Sequence, residues 1–421
     1  MPNITFIGHL RRAVSGEALG TAYYQFLFVH TGFIIFTGLP NVFINTFLMS
    51  QTGNMDIVLI YNCLNFFGTA IGMFFSAAVV HRFNSGVVSV LGILGFNILY
   101  LQLIMLNTHA ADYVVLLGVT SGLANAFYWI SYSQLFTEFT DLDNRDSGMA
   151  IISIITSIVN SVVPLLAGAM ISGLGGITGY NTVFGLAFAI AMVTAIGAMR
   201  LPKPKNKTKQ VQHKEAVRFM FQNKALLFGL LSEGCKGIRE GAFGFILSIL
   251  LFRMIHSEVL VGFNTFLSSL MAVISFIIIS RRIKGTNRIR YMTIAVIGLL
   301  IFGIISVLIM NPMILIVYTV INSFFSGFIV NSSFGAFLDA VQILPGADSL
   351  RPELFAQKEL FLATGRCVGI FIIMLIDRLS ASSLVWLSVS LVILTLTQIG
   401  TIAACRQAMK LVSEISAKER V

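Results

Sequence analysis

The chain has 421 residues, of which 56% are hydrophobic and only 11% are charged, and its mean hydropathy is +0.88. These values exclude an ordinary soluble globular protein and indicate an integral membrane protein. A net charge of +10 would suggest a nucleic-acid partner in a soluble protein, but here we assign it to loops at a membrane surface and expect no nucleic-acid partner.

Apolar runs long enough to cross a bilayer, about 20 residues each, recur along the whole chain. A short polar arm (1–20) comes first and lacks the cleavage pattern of a signal peptide, so we expect the first span to stay in the protein. Twelve spans are predicted, at 22–49, 57–80, 86–107, 113–137, 148–173, 178–199, 225–252, 259–280, 291–310, 313–338, 355–376 and 382–405.

These spans divide the chain into four parts. They are an N-terminal six-helix half (1–199), a basic cytoplasmic linker (200–224), a C-terminal six-helix half (225–405) and a cytoplasmic tail (406–421) that is an amphipathic or frayed helix. The linker either lies against anionic headgroups as a topological anchor or binds a regulatory partner.

The orientation follows from the basic residues. With both termini in the cytoplasm, most of the 28 lysines and arginines lie on the cytoplasmic side, as the positive-inside rule requires. Eleven or thirteen spans would place the basic cluster 281–290 and the linker on opposite faces. The sequence therefore predicts an all-α, multi-pass protein of a cell membrane, in contact with the lipid bilayer, with both termini inside.

Polar side chains form a stripe on each of three spans. In chain order they are His30, Thr37, Asn41 and Asn45 on the first span, Ser121, Asn125, Tyr128, Trp129 and Tyr132 on the fourth, and Asn322, Ser326 and Ser333 on the tenth. Such side chains either line a cavity or bond to neighbouring helices. His30 is either a packing histidine or a proton carrier, and Trp129 and Tyr132 either contact a ligand or belong to an interfacial aromatic belt.

The seventh span is the most unusual stretch, because it carries Glu233, Lys236, Arg239 and Glu240 in its middle. Each charge at mid-membrane costs ~2.5–3.5 kcal/mol, so the segment should not be stable as a lone lipid-facing helix. Helical spacing places all four within an arc of about 120° and brings Lys236 within reach of both glutamates. Such charges indicate a substrate or ion pathway, or a self-neutralised network that only fixes helix packing.

The two halves repeat one another. A short basic turn, 81–86, follows the second span, and a second basic turn, 281–285, follows the eighth about 200 residues later. Parallel six-helix repeats joined by a long cytoplasmic loop are typical of secondary transporters. In the eleventh span, Glu359 and Arg366 share one face near the cytoplasmic end, which favours a gating or snorkelling role over substrate binding.

The chain resembles the major facilitator superfamily over essentially its whole length. The family's signature loop after the second span is matched by Ala77 and 81–85, which keep its arginine, Arg82, and its aromatic position, Phe83. The proline and final glycine of a fifth-span run found in proton-driven exporters are matched by Pro164 and Gly168. Within the family, the chain is most similar to a divergent bacterial branch, the YqgE-like group.

The resemblance implies two pseudo-symmetric six-helix bundles, with the first, fourth, seventh and tenth spans lining a central cavity. It assigns the polar stripes to the substrate cavity and the seventh-span charges to proton coupling. Gating residues would be His81, Arg82, Arg281 and Arg282 in the two basic turns, together with Glu359 and Arg366.

Enzyme signals are absent from the sequence, which contains no nucleophile elbow, zinc-protease motif or phosphate loop. The four cysteines lie in apolar segments without metal-ligand spacing, so we expect buried, inert thiols, no metal and no cofactor. We therefore predict a monomeric, proton-coupled secondary transporter of a small molecule, in which Glu233 or Glu240 takes up the proton. Export of amphiphilic compounds is preferred, and the alternatives are import of a polar nutrient or translocation of a lipid.

Overall fold

The structure of the chain is a computed structural model that describes residues 19–140, 145–202, 212–283, 287–380 and 383–418. These residues fold as α-helices joined by short turns. The helices are α1 (Thr21–Thr52), α2 (Met55–Arg82), α3 (Ser85–Leu106), α4 (Val114–Glu138), α5 (Arg145–Leu174), α6 (Gly176–Met199), α7 (His213–Gln222), α8 (Lys224–Phe243), α9 (Ile246–Ile255), α10 (Glu258–Arg282), α11 (Arg288–Leu308), α12 (Pro312–Ile343), α13 (Arg351–Leu379), α14 (Leu384–Leu396) and α15 (Gln398–Lys418).

The helices provide the twelve predicted spans. Ten segments of the described chain are long and apolar enough to cross a membrane, and one of them, Ser85–Phe136, contains both α3 and α4. The remaining span, the seventh, is the charged segment made of α8 and α9, which is too polar to be counted among the ten. The all-helical, twelve-span prediction is confirmed.

Two spans predicted as continuous helices are interrupted. The seventh breaks after Phe243, because Phe245 leaves helical geometry (φ −138°, ψ −27°) next to Gly244, a residue that disfavours a helix interior. The twelfth breaks at Thr397, whose hydroxyl bonds the carbonyl oxygen of Leu394 at 2.7 Å and so competes with the helical ladder. Beyond that break α15 runs without interruption to Lys418, so the predicted tail continues the membrane helix.

Side-chain caps set where several helices begin. The Asn54, Asn84 and Asn311 side chains accept hydrogen bonds from backbone N–H groups in the first turns of α2, α3 and α12, and Ser257 does the same for α10. Each cap satisfies a donor that the helix itself leaves unpaired. Because the caps lie in the turns, they fix the ends of spans whose interiors are almost entirely apolar.

The two halves use the same helix pairing. In the N-terminal half α1 packs against α5 and α6, while α4 packs against α2 and α3. In the C-terminal half α8 packs against α13 and α15, while α12 packs against α10 and α11. The first helix of each half, α1 and α8, therefore occupies the equivalent place in its bundle.

The halves meet mainly through two helix pairs, α2 with α13 and α5 with α10, and α1 makes a smaller contact with α9. Arg378 donates to Asp56 at 2.7 Å, and the Tyr180 hydroxyl donates to Glu258 at 3.1 Å. With the cytoplasmic ends assigned by the positive-inside rule, both contacts lie at the outer ends of the spans. Deeper in the membrane, the Cys367 thiol lies 3.5 Å from the carbonyl oxygen of Cys63.

Glycines allow α5 and α10 to approach backbone to backbone. A Cβ atom on Gly168 would lie 2.6 Å from the carbonyl oxygen of Glu258, and a Cβ atom on Gly262 would lie 2.7 Å from that of Pro164. Small residues permit such close contact between membrane helices, where lipid offers no hydrophobic driving force for association.

Candidate functional site

The charged residues of α8 form the centre of the site. Lys236 Nζ lies 2.7 Å from Glu233 Oε2 and 3.7 Å from Glu240 Oε2, so both ion pairs expected from helical spacing are present. Glu233 is fully buried, and Lys236 is only 5% exposed. A charge pair this deep is stable only when its remaining polar atoms also find partners.

Glu233 meets that requirement. Its second carboxylate oxygen, Oε1, accepts a hydrogen bond from the Ser333 hydroxyl of α12 at 2.7 Å. Ser333 in turn lies 2.8 Å from the hydroxyl of Ser232. Both oxygens of Glu233 are therefore engaged, one by a cation and one by a hydroxyl.

Glu240 is less completely engaged. Its Oε1 accepts a charge-assisted hydrogen bond from Arg366 of α13, but Oε2 has no hydrogen-bond partner among the described residues and only the longer contact with Lys236. The Glu240 side chain is also 33% exposed, whereas that of Glu233 is not exposed. Glu240 is therefore the more exposed carboxylate of this pair, and it has one oxygen without a hydrogen bond among the described residues.

Arg366 connects the charge network of α8 to the other half of the protein. Glu359, which the sequence predicts to share a face of the eleventh span with Arg366, forms an ion pair with Lys358 at 2.6 Å. Arg366 turns towards Glu240, and its guanidinium lies 4.8 Å from the ring centre of Phe66 in the other half. Arg366 thus joins the charge network to the interface between the halves, and its gating role stays a prediction.

The close approach of α8 and α13 makes this contact possible. A Cβ atom on Gly365 would lie 1.9 Å from the carbonyl oxygen of Gly234, and one on Gly369 would lie 1.7 Å from that of Ile238. No larger residue fits at either position while the helices stay in place. The glycines therefore set the register that presents Arg366 to Glu240.

Arg239 points to neutral partners. Its guanidinium donates to Ser326 at 3.2 Å, to the Asn322 side-chain oxygen, and to Thr395 at 3.4 Å. It also lies 3.9 Å from the ring centre of Phe243. The sequence predicts that the four charges pair with one another, and for Arg239 this is wrong, since no described carboxylate lies within 4 Å of it.

A cavity of about 180 Å³ opens beside these residues. Its polar side is formed by Lys236, Arg239, Glu240, Asn322, Ser326 and Gln398. Its apolar side is formed by Phe243, Ile329 and Val330. The seventh- and tenth-span residues predicted to share a cavity therefore do so.

The polar stripes of the N-terminal half form an aromatic cluster. Tyr128 stacks on Phe33 with ring centres 3.4 Å apart, and its hydroxyl lies 2.8 Å from His30 Nδ1. The ring centre of Tyr132 lies 4.4 Å from that of His30. Trp129, which is 38% exposed, packs edge-on against Tyr132. His30 and Tyr128 are buried, so Trp129 and Tyr132 offer the accessible surface of this cluster.

The remaining amides and hydroxyls of these stripes mostly bond within their own half. Thr37 donates to the carbonyl oxygen of Phe33 at 2.7 Å, and Asn125 donates to that of Ser121 at 3.2 Å. Asn45 accepts from Asn62 at 2.7 Å and is buried, while Asn41 is exposed.

The basic turns are only partly visible. The side chains of His81, Arg82 and Arg281 lie outside the described part of the structure, and Arg282 is exposed. Their gating role stays a prediction. The described residues contain no group of three or more His, Cys, Asp or Glu side chains placed to hold a metal ion.

Two six-helix bundles with matching helix pairing, arranged around a buried charged centre, define a secondary transporter. Residues 24–347 match the Major Facilitator Superfamily, and the chain belongs to that family. It is a multi-pass membrane transporter of a small molecule and not an enzyme.

Known proteins resemble the chain in sequence and in fold. It is 25% identical to the uncharacterised protein YqgE of Bacillus subtilis (strain 168) over 345 residues. This match covers 81% of this chain and 79% of the relative. A crystal structure of a mutant of the nucleoside transporter NupG aligns with a TM-score of 0.71 at 11% identity, covering 92% of this chain and 100% of that one. The E. coli fucose:proton symporter FucP aligns with a TM-score of 0.62 at 10% identity, covering 92% and 98%. At these identities the two structures show the fold alone.

Proposed function

We propose that the chain is a proton-coupled transporter in which Glu240 is the residue that takes up the proton. The observation that carries this proposal is the difference between the two glutamates of α8. Glu233 is fully buried with both oxygens engaged, whereas Glu240 lines the cavity with its Oε2 free of hydrogen bonds. An ionisable group in a membrane cavity is by default part of an ion or proton pathway.

Protonation of Glu240 would weaken its bond to Arg366 because the carboxylate loses its charge. Arg366 lies on α13, the helix that packs against α2 across the interface between the halves. The change at Glu240 therefore reaches, through one side chain, a helix whose contacts differ between the two states of an alternating-access transporter. Glu233, Lys236 and Ser333 would hold the centre in place while this happens.

The direction of transport and the substrate have two candidates. Export of amphiphilic compounds is supported by the accessible rings of Trp129 and Tyr132. Import of a polar solute is supported by the polar side of the cavity and by the burial of His30 and Tyr128, which removes much of the aromatic stripe from contact with a ligand. We place import first. FucP, a fucose:proton symporter, and NupG, a nucleoside transporter, illustrate such solutes on this fold.

The test is proton flux in liposomes that contain a pH-sensitive dye and the purified full-length protein. An inward proton gradient is imposed, and sugars, nucleosides, organic anions and lipophilic cations are added in turn. Solute-dependent proton entry should be present in the wild type and in Glu233→Gln, and it should be lost in Glu240→Gln. Unchanged flux in Glu240→Gln would exclude this residue as the coupling site.

A further inference from the structure

We propose that Arg239 is an anion-binding centre, so that the cavity takes a small organic anion, carrying a carboxylate or a phosphate, together with the proton. The pairing with a proton rests on the proposed role of Glu240. The anion site itself rests on the charge, the contacts and the cavity of Arg239, and it can be tested separately.

The charges of this centre do not balance. Lys236, Arg239 and Arg366 face only two carboxylates, Glu233 and Glu240, so the centre carries one excess positive charge when all five are ionised. The other charged groups on the helices packed around α8 do not supply the missing anion. Lys358 pairs with Glu359, Arg288 with Asp339, Arg253 with Asp377, and Arg378 with Asp56, while Glu353 accepts a hydrogen bond from the backbone N–H of Gln212. Tyr318 of α12, which interacts with Arg239, and Gln398 of α15, which lines the cavity, are both neutral.

Arg239 is surrounded by neutral hydrogen-bond partners. This residue is 5% exposed, yet every acceptor that the described chain gives it is a neutral hydroxyl or amide. An isolated buried charge is costly unless an opposite charge compensates it. Asn322 and Ser326 hold the guanidinium in position, and Phe243 covers its face. The group is thus oriented before any ligand arrives.

The cavity beside Arg239 restricts the size of the ligand. At about 180 Å³ it is smaller than the ~300–1,000 Å³ usual for small-molecule sites, which limits the ligand to a compact one. The planar guanidinium fork matches the two oxygens of a carboxylate or a phosphate. The apolar lining residues Phe243, Ile329 and Val330 suit a short apolar body attached to that group.

The same cavity links the anion to the proton. Glu240 lines it, so an ionised Glu240 repels an incoming anion and a protonated Glu240 does not. By reciprocity, a bound anion favours protonation of Glu240. Proton and anion would therefore bind cooperatively and cross together, which corresponds to uptake driven by an inward proton gradient. A cation exported in exchange for the proton would instead compete with it.

The experiment measures binding to the purified full-length protein by calorimetry. The probes are monocarboxylates from acetate to hexanoate, alkyl phosphates of the same chain lengths, and the matching neutral alcohols and alkylamines. We expect one of the two anion series to bind, and its affinity should rise as the pH is lowered. The rise should not exceed tenfold per pH unit, since one proton is linked. The alcohols and amines should not bind, and the series that binds distinguishes a carboxylate site from a phosphate site.

Three variants complete the test. Arg239→Gln should lower the affinity for the anion about 10- to 100-fold, the effect of losing charge-assisted hydrogen bonds. Lys224→Gln, which removes an exposed cation at the start of the same helix, is the matched control and should bind as the wild type does. Glu240→Gln, which mimics the protonated residue, should bind the anion tightly at all pH values. Thermal unfolding of each variant confirms that it is folded.

The outcomes separate the two proposals. Anion affinity that is unchanged in a folded Arg239→Gln, or equal binding of the alcohols, would overturn the anion site. Arg239-dependent anion binding that does not vary with pH in the wild type would support the anion site while contradicting proton coupling through Glu240. Proton flux driven only by a neutral solute would support proton coupling while contradicting the anion site. If Arg239→Gln does not fold, pH-independent binding in Glu240→Gln supports the site, and absence of anion binding in that variant overturns it.

Discussion

The first helix of each half, α1 and α8, sits in the same place in its bundle, but the two helices carry different chemistry. α8 presents two carboxylates and two cations, arranged as ion pairs and as a guanidinium with neutral partners. α1 presents His30, which is buried beside the hydroxyl of Tyr128 and among stacked aromatic rings. The shared pairing of helices therefore does not depend on the charges, and the charges of the C-terminal half call for an explanation outside folding.

The largest expected effect is in the C-terminal half, and it tests whether the stability of this half depends on the pairing of its charges. Lys236→Met leaves Glu233 fully buried without its cation, and breaking such a pair typically costs ~3–5 kcal/mol in the free energy of unfolding. The double variant Glu233→Gln/Lys236→Met removes both partners and should recover most of the loss. Thermal unfolding in detergent compares the two, and equal losses in the single and double variants would contradict the pairing.

A smaller effect tests the contact that joins α8 to α13. In Gly369→Ala the new methyl group would lie 1.7 Å from the carbonyl oxygen of Ile238, so the two helices must separate. We expect a loss of ~1–3 kcal/mol in the free energy of unfolding, as for other overpacked sites, and reduced transport because Arg366 is displaced from Glu240. The control is Gly185→Ala in α6, where nothing lies within 4 Å of the added atom. A destabilised control, or an unaffected Gly369→Ala, would count against this packing.

The smallest expected effect is in the aromatic cluster of the N-terminal half. Tyr128→Phe keeps the stack on Phe33 but removes the hydroxyl that lies 2.8 Å from His30, so we expect a loss of about 0.5–1.5 kcal/mol. Tyr24→Phe, at a residue that is 52% exposed, is the control and should not change the unfolding temperature. A loss as large as that of Lys236→Met would show that the N-terminal half also depends on a buried polar contact, and the contrast between the halves would not hold.

The sequence was sufficient to predict the topology, because bilayer thickness sets the length of a span and basic residues set its orientation. It also predicted the two ion pairs of Lys236, since these depend only on spacing within one helix. It did not predict the contact between Glu240 and Arg366, which are 126 residues apart and meet only because glycines set the register of α8 against α13.

Two other features could not be predicted for similar reasons. The neutral partners of Arg239 come from α12 and α14, so they depend on how three helices are rotated about their axes. The break at Gly244 depends on a local balance between a single glycine and the packing around it. The isolated sequence carried the residues of the site but not the differences in burial that separate Glu240 from Glu233.

The contact between α5 and α10 has a consequence for the speed of the transport cycle. Gly168 and Gly262 bring backbone against backbone, so no side chain of these two residues has to change its rotamer when the helices part. The outer-end contact of Tyr180 with Glu258 and the contact of the Ser269 hydroxyl with the carbonyl oxygen of Asn160 are polar interactions that opening would break. We therefore expect the outer face to open and close within the microsecond-to-millisecond range of domain motions, so that the charged centre and not the gate limits the turnover rate.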